Sequence, residues 1–352
     1  MRSGALLCLA LVCACGDSQG DSPWRSLGVF AYHAQDGVLL TEPIEVPGGR
    51  FAAYVETDGC AQLASLHDAE TTFISSLEGG VSCLGCTPRH SMVVESGIVV
   101  HDSGESGAGS TTLQFGRLDC ETLTRLSPDG MGGEAQIWIR SLPESSGSTR
   151  LPLRFRHSAA SGFSEPGTED ALLDEVDALL PTGIEVEIAA SISEPDFPGR
   201  LSWFEGEATA AGDSGPSSGV DVVFAGCIER VDPVSGRRTV LDAMVPRVPA
   251  FGSPGAAIYI AGRSCFFEDP LAVSVPNTAR RLVHELGHFL GLFHSVERSG
   301  REDDLEDTDA GTLMVVDPVL AADPSFSPAQ VRRMRAHARL LADGLPGPSA
   351  PR

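Results

Sequence analysis

The eleven residues His284-Glu285-Leu286-Gly287-His288-Phe289-Leu290-Gly291-Leu292-Phe293-His294 constrain this chain more than any other stretch. Asn277 follows Pro276 and is a natural N-cap, so the pattern predicts a helix from Thr278 to about Leu290. His284 and His288 are four residues apart, which puts both imidazoles on one helical face about a turn apart. Two nitrogens so placed can reach one ion at about 2.0–2.1 Å. Gly291 can close the helix in a left-handed conformation, and a sharp turn then brings His294 round as a third nitrogen donor. Three neutral histidines leave the fourth position of a zinc ion to water or substrate. Glu285, beside the first histidine, can approach a water there from the side and take its proton as general base.

The rest of the chain divides by pattern. From Arg25 to Leu142, short runs rich in Val, Ile and aromatics (Phe51–Val55, Met92–His101, Thr111–Leu118, Gln136–Ile139) are separated by Gly-rich turns. No helical period intervenes, and this reads as an antiparallel β-sandwich serving as an accessory or binding module. Residues 143–149 read as a linker. Beyond it the pattern is mixed: a strand at Leu151–His157 and a helix begun at Thr168-Glu169-Asp170 and stopped by Pro181 and Gly183. A strand through Ile184, Val186 and Ile188 follows, then a long Gly- and Ser-rich acidic loop ending near Gly219. Strands at Val220–Ala225, Thr239–Val245 and Ala256–Ala261 lead into the histidine helix. The whole is α+β, with residues 150–347 as the second domain. His157 and His337 have no ligand spacing and read as ordinary residues.

Met1-Arg2-Ser3 followed by the apolar run Gly4–Val12 reads as a secretory leader. Val12-Cys13-Ala14-Cys15-Gly16 resembles a bacterial lipobox, which makes Cys15 the lipidated residue and residues 16–24 a tether. The expectation is an exported lipoprotein of the cell envelope, most simply the outer membrane, or a form released outside the cell. The anchor would be lipid, without a mature transmembrane helix. Nine cysteines are present, and six remain after the leader. In an exported chain these read as structural disulfides. Cys227 and Cys265 are a candidate pair that would close a loop of about 39 residues, for on the order of 4 kcal/mol by chain entropy. The pairing of Cys60, Cys83, Cys86 and Cys120 stays open.

Charge excludes one class of function. With 25 basic against 48 acidic residues the net charge is −23, and a general nucleic-acid binder needs a basic surface.

The eleven-residue stretch matches HExxHxxGxxH, the extended zinc signature of the metzincin metalloproteases. Three further segments carry the resemblance. Gly311-Thr312-Leu313-Met314-Val315, whose methionine lies 20 residues after His294, fits the methionine turn of that family. Asp303-Asp304-Leu305-Glu306-Asp307-Thr308 and Phe326-Ser327-Pro328-Ala329-Gln330-Val331-Arg332-Arg333-Met334 are similar to the pappalysin-like branch. The resemblance implies a zinc-dependent endopeptidase acting on a protein or peptide substrate. His284, His288 and His294 would hold zinc, Glu285 would be the base, and Met314 would support the imidazoles from below without binding the metal. It implies a twisted five-stranded sheet above the zinc helix, with one edge strand pairing with the substrate main chain; Thr239–Val245 is the candidate. Asp303, Asp304 and Asp307 form a candidate calcium loop, since clustered carboxylates suit that ion. A reading of a different class is a surface binding or adhesion lipoprotein whose metzincin domain no longer cleaves.

Overall fold

The computed structural model describes residues 24–346 apart from 35–36, 47–49, 68–71, 76–91, 102–108, 120–131, 143–146, 159–160, 162, 164–166, 195–199, 205–218, 232–234, 247, 249, 252–255, 263–273, 296–304, 306, 308–311 and 322–323. The leader, Cys15 and the acidic pair Asp303 and Asp304 therefore lie outside the described residues, as do Cys83, Cys86, Cys120 and Cys265. Cys60 and Cys227 are both disulfide-bonded.

Among the described residues the first half is all strand: β1 (Arg25–Ala31), β2 (Val38–Leu40), β3 (Ile44–Val46), β4 (Phe51–His67), β5 (Thr72–Ser75), β6 (Met92–His101), β7 (Gly109–Leu118) and β8 (Glu134–Ser141). The pairing departs from the expected sandwich of two separate sheets. All eight strands form one antiparallel sheet organised on β4. The first part of β4 pairs with β8 from Phe51↔Ser141 to Thr57↔Ala135, and the second part pairs with β7 from Cys60↔Leu118 to His67↔Thr112. The change of partner falls at Asp58-Gly59, within a register shift between Glu56 and Cys60 against β6. Glu56-Thr57-Asp58-Gly59 has the polar composition of a turn, yet the backbone uses it as an irregularity inside one 17-residue strand. The sheet thereby curls over a core of Phe51, Ala53, Val55, Leu63, Phe115 and Ile137. The alternate residues of the same strand, Ala52 and Tyr54, join Trp24, Trp138 and Leu142 in a cluster continuous with the core of the second half. From Phe51 to Val55 both faces of β4 are buried, so the apolar residues there run on without the alternation of a half-exposed strand.

The second half contains β9 (Thr149–Ser158), α1 (Thr168–Leu179), β10 (Ile184–Glu194), β11 (Arg200–Phe204), β12 (Val220–Ala225), β13 (Cys227–Val231), β14 (Arg238–Leu241), β15 (Ala243–Met244), β16 (Ala257–Ala261), α2 (Val275–Phe289) and α3 (Pro328–Asp343). A five-stranded sheet has the order β10-β9-β12-β16-β15, parallel but for the antiparallel edge strand β15. Every residue of β12 and of β16 is buried, as strands covered on both faces must be. Phe155, Val222, Phe224, Ile258 and Ile260 pack with the helices. The alternate residues Val223, Ala225, Ala257 and Tyr259 pack with Ile228, Leu201 and Leu241 of a second sheet, β11-β13-β14. That three-stranded sheet was not expected from the sequence. It takes β11 from the supposed long loop and β13 from beyond Gly226. It also takes the first part of the run Thr239–Val245, which divides at Asp242 between the two sheets.

No helix among the described residues is long and apolar enough to cross a membrane.

Candidate metal centre

Helix α2 begins three residues earlier than the sequence pattern predicts. Ser274, not Asn277, is the N-cap: its side chain accepts a hydrogen bond from the Asn277 backbone N–H at 3.2 Å. Pro276 then falls in the first turn, where its missing N–H costs nothing. From Leu282 to Phe289 every residue of the helix is buried. Gly287 leaves room for Met314 there, since a β-carbon would lie 2.6 Å from its Sδ and the methionine would have to shift. Glycine in a helix interior costs about 1 kcal/mol relative to alanine, and here it lets the methionine pack directly under the helix.

The end of α2 follows the Schellman pattern. Leu292 N–H donates to Gly287 O at 2.9 Å and Gly291 N–H to His288 O at 3.0 Å. Gly291 has φ 88, as expected of the residue that reverses the chain. The segment beyond is pinned at Ser295. Its N–H donates to Met314 O at 2.8 Å, and its hydroxyl is 2.7 Å from that of Thr312. The Gln330 side chain donates to Ser295 Oγ at 3.3 Å and accepts from Ser327 N–H at 3.0 Å. The start of α3 is thus tied to the loop that carries His294.

The three histidines converge. One side-chain nitrogen from each of His284, His288 and His294 lies within 4.8 Å of the others, an arrangement that can hold one metal ion. His288 Nε2 and His294 Nε2 are 3.2 Å apart. His284 Nδ1 is 2.8 Å from Leu313 O and His288 Nδ1 is 2.7 Å from Leu292 O. A carbonyl oxygen only accepts, so Nδ1 carries the hydrogen in both rings and Nε2 keeps the free lone pair. Burial, with the neighbouring His284 and His294, holds His288 well below the ordinary imidazole range, so its nitrogen stays available as a donor to a metal.

Glu285 is buried on the same helix. Burial pushes its carboxyl up to about 8, opposed by a hydrogen bond from the backbone of Val245. Val245 directly follows the edge strand β15, so the glutamate meets the end of that strand. Of the candidate edge Thr239–Val245, only Ala243 and Met244 are on the edge of the five-stranded sheet.

The structure thus brings together His284, Glu285, His288, His294 and Met314. Asp307 is placed elsewhere. Its carboxylate accepts from the Ser327 hydroxyl at 2.8 Å and from Ala329 N–H at 3.0 Å, capping α3. Both of its oxygens serve the positive end of a helix. The sequence reading included Val245 in its candidate edge strand and Thr312 and Gln330 in its motif segments but gave none of them a role of its own, and it missed Ser295. Val245 acts through its backbone, and the other three are single polar residues near chain turns, with no periodic signal to mark them.

No protein-family profile and no curated protein matches the chain. Among solved structures, metalloproteinase-II from Bacteroides fragilis is similar over 70% of this chain and 77% of its own, at 13% identity and a TM-score of 0.32. The Bacillus subtilis protein YxiM is similar over 54% and 46%, at 8% identity and a TM-score of 0.16. A family two carbohydrate esterase from Cellvibrio japonicus is similar over 51% and 51%, at 11% identity and a TM-score of 0.14. At these scores the functional reading rests on the site itself.

Proposed function

We propose that this chain is a zinc-dependent endopeptidase of metzincin type. The observation that carries the reading is the convergence of three histidine nitrogens beside a buried glutamate. The 3.2 Å between His288 Nε2 and His294 Nε2 is close to the roughly 3.4 Å spanned by two nitrogens bound at about 2.0–2.1 Å to one tetrahedral zinc. Carbonyl partners on Nδ1 of His284 and His288 orient both rings, as is usual for metal-binding histidines.

When bound, zinc supplies a lowered pKa for water and polarisation of the scissile carbonyl. The chain's own residues do the rest. Glu285 accepts the proton of the attacking water and later delivers it to the leaving amine. Its burial raises its affinity for that proton, and the Val245 N–H fixes its carboxylate. The edge strand β15 offers main-chain groups to an extended peptide, in the manner of strand addition. Met314 packs against Gly287 beneath the histidine face.

The proposal extends to the cell: an exported lipoprotein held at the envelope through Cys15, with Cys227 joined to Cys265. The leader and lipobox residues support the first, and the disulfide-bonded state of Cys227 supports the second.

The test is metal content together with peptide-library cleavage, on the parent and on Glu285→Ala. The expected result is about one zinc per chain in both, with cleavage lost in the variant. A folded parent without zinc, or a variant that cleaves at the parent rate, overturns the reading.

A further inference from the structure

Arg281 and Asp242 form an ion pair at 2.8 Å between α2 and the residue that opens the edge strand. The Arg281 side chain is 19% exposed and that of Asp242 is 52% exposed. Asp242 is also held through its backbone, since its carbonyl accepts from Ala261 N–H at 2.8 Å, at the end of β16. The edge strand then pairs Ala243↔Ile260 and Met244↔Tyr259, and Val245 follows with its backbone hydrogen bond to Glu285. Arg281 and Glu285 are four residues apart, so they share one face of α2. Residues 242–245 are therefore stapled to the same helix face at two points one turn apart. Glu285 holds one end and Arg281 the other.

We propose that Arg281, through Asp242, is a positioning residue that fixes the register of the edge strand against Glu285. The inference rests on the peptidase reading. A half-exposed ion pair adds little to the stability of a fold, so stability alone gives this one small consequence. Alignment is different: a shift of about 1 Å between reacting groups can cost on the order of 100-fold in rate. β15 has only two residues and is the last strand of its sheet, with a partner on one side. Two ladder pairs leave it free to slide or fray unless its ends are held, and a peptide aligned on it would move with it. Asp242 marks the place where the chain leaves the three-stranded sheet for the five-stranded one, so the pair also sets where β15 begins.

The test is a double-mutant cycle in the full chain with Arg281→Gln, Asp242→Asn and both together. Three quantities are read: kcat and KM on a peptide substrate, zinc content, and amide hydrogen exchange at residues 243–245. Each single substitution is expected to lower kcat about 10-fold with KM changed less than about 2-fold. Zinc stays at the parent level, exchange at 243–245 rises about 10-fold, and the double variant is no worse than either single one. Multiplying losses, or losses that follow zinc content, overturn the assignment. Should the parent bind zinc but cleave no peptide, the peptidase reading fails first. The exchange measurement still decides the staple, because unchanged exchange at 243–245 in Arg281→Gln overturns it without reference to activity.

Discussion

The imidazole of His337 stands where a β-carbon on Gly291 would have to be. Gly291 thus carries two demands at once: φ 88 to turn the chain toward His294, and a bare α-carbon against the ring from α3. Gly291→Ala should cost about 1–2 kcal/mol for the left-handed conformation and about 1–3 kcal/mol more for overpacking. His337→Ala removes only the second demand. Urea titration of the two single variants and the double one checks this. The double variant should recover roughly 1 kcal/mol of the Gly291→Ala loss, and strict additivity would mean the ring and the glycine are not in conflict.

His337 also makes stability depend on pH. Neither ring nitrogen has a hydrogen-bond partner. Burial, followed by the charge of Arg333, pulls its pKa down from 6.5 to about 3. The unfolded chain takes up a proton at this histidine below about pH 6.5, while the folded chain refuses it until about pH 3. The unfolded state binds more protons in that window, so its contribution is complete above 6.5 and is lost as pH falls toward 3, at up to about 1.4 kcal/mol per pH unit. His337→Phe keeps a ring against Phe251, which now meets the imidazole edge-on at 5.3 Å. Its unfolding free energy should fall less steeply than the parent's between pH 6 and 4, by about that slope. Parallel curves would place the titrating group elsewhere.

Much of this site could be read from the sequence, for a physical reason. The four-residue spacing of His284 and His288, the apolar helix around them and Gly291 after them are local features, and local geometry translates directly into structure. The N-cap was missed because Asn277 and Ser274 are both good caps, and only the tolerance of a first turn for Pro276 decides between them. The strands β9, β10, β12 and β16 carry apolar alternation or unbroken apolar runs. By contrast β11 is only five residues long and is set between stretches rich in Gly, Ser, Pro and acidic residues, and β13 follows β12 across a single Gly226. The run Thr239–Val245 looks like one strand, but Asp242 belongs to two partnerships, with Arg281 and with Ala261, and those are tertiary. In the same way Asp58-Gly59 looks like a turn until β7 and β8 are seen to divide β4 between them. Backbone groups such as Val245 N–H leave no mark in a sequence.

Removing the metal should destabilise the protein by mass action. A ligand that binds only the folded state adds about 2.7 kcal/mol when its free concentration is 100 times its Kd. With zinc at that excess, a chelator should lower the melting temperature of the parent and abolish cleavage. His294→Ala loses one of three donors, and its melting temperature should respond far less to the chelator. Calorimetry with and without chelator on both proteins checks this. Equal responses would mean that the ion sits elsewhere in the chain.

The curled sheet and the second half should melt together. Arg140 on β8 is paired with Asp343 at the end of α3, and Arg339 is 3.0 Å from the same carboxylate. Trp24 donates its indole N–H to Gly344 O at 3.1 Å, and Trp24 and Tyr54 meet edge-on at 6.4 Å between ring centroids. The Arg140 side chain is only 9% exposed, so removing its partner leaves a largely buried charge, at a cost on the order of 3 kcal/mol. Asp343→Ala therefore destabilises through a charge left behind, and Arg140→Met, which takes the charge away, should cost less. In Arg140→Met the loss of Asp343 should then add little, because the two residues form one unit. The same helix carries His337 behind Gly291, so its C-terminal end and the turn to His294 belong to one rigid element. Thermal unfolding followed by tryptophan fluorescence, in a Trp203→Phe background that removes the third tryptophan, reports the interface through Trp24 and Trp138, and chelator-sensitive zinc release reports the site. The expected outcome for the parent is one transition by both probes, shifted down together in Asp343→Ala. Zinc release well above the fluorescence transition would show that the two halves unfold separately and that the interface only joins them.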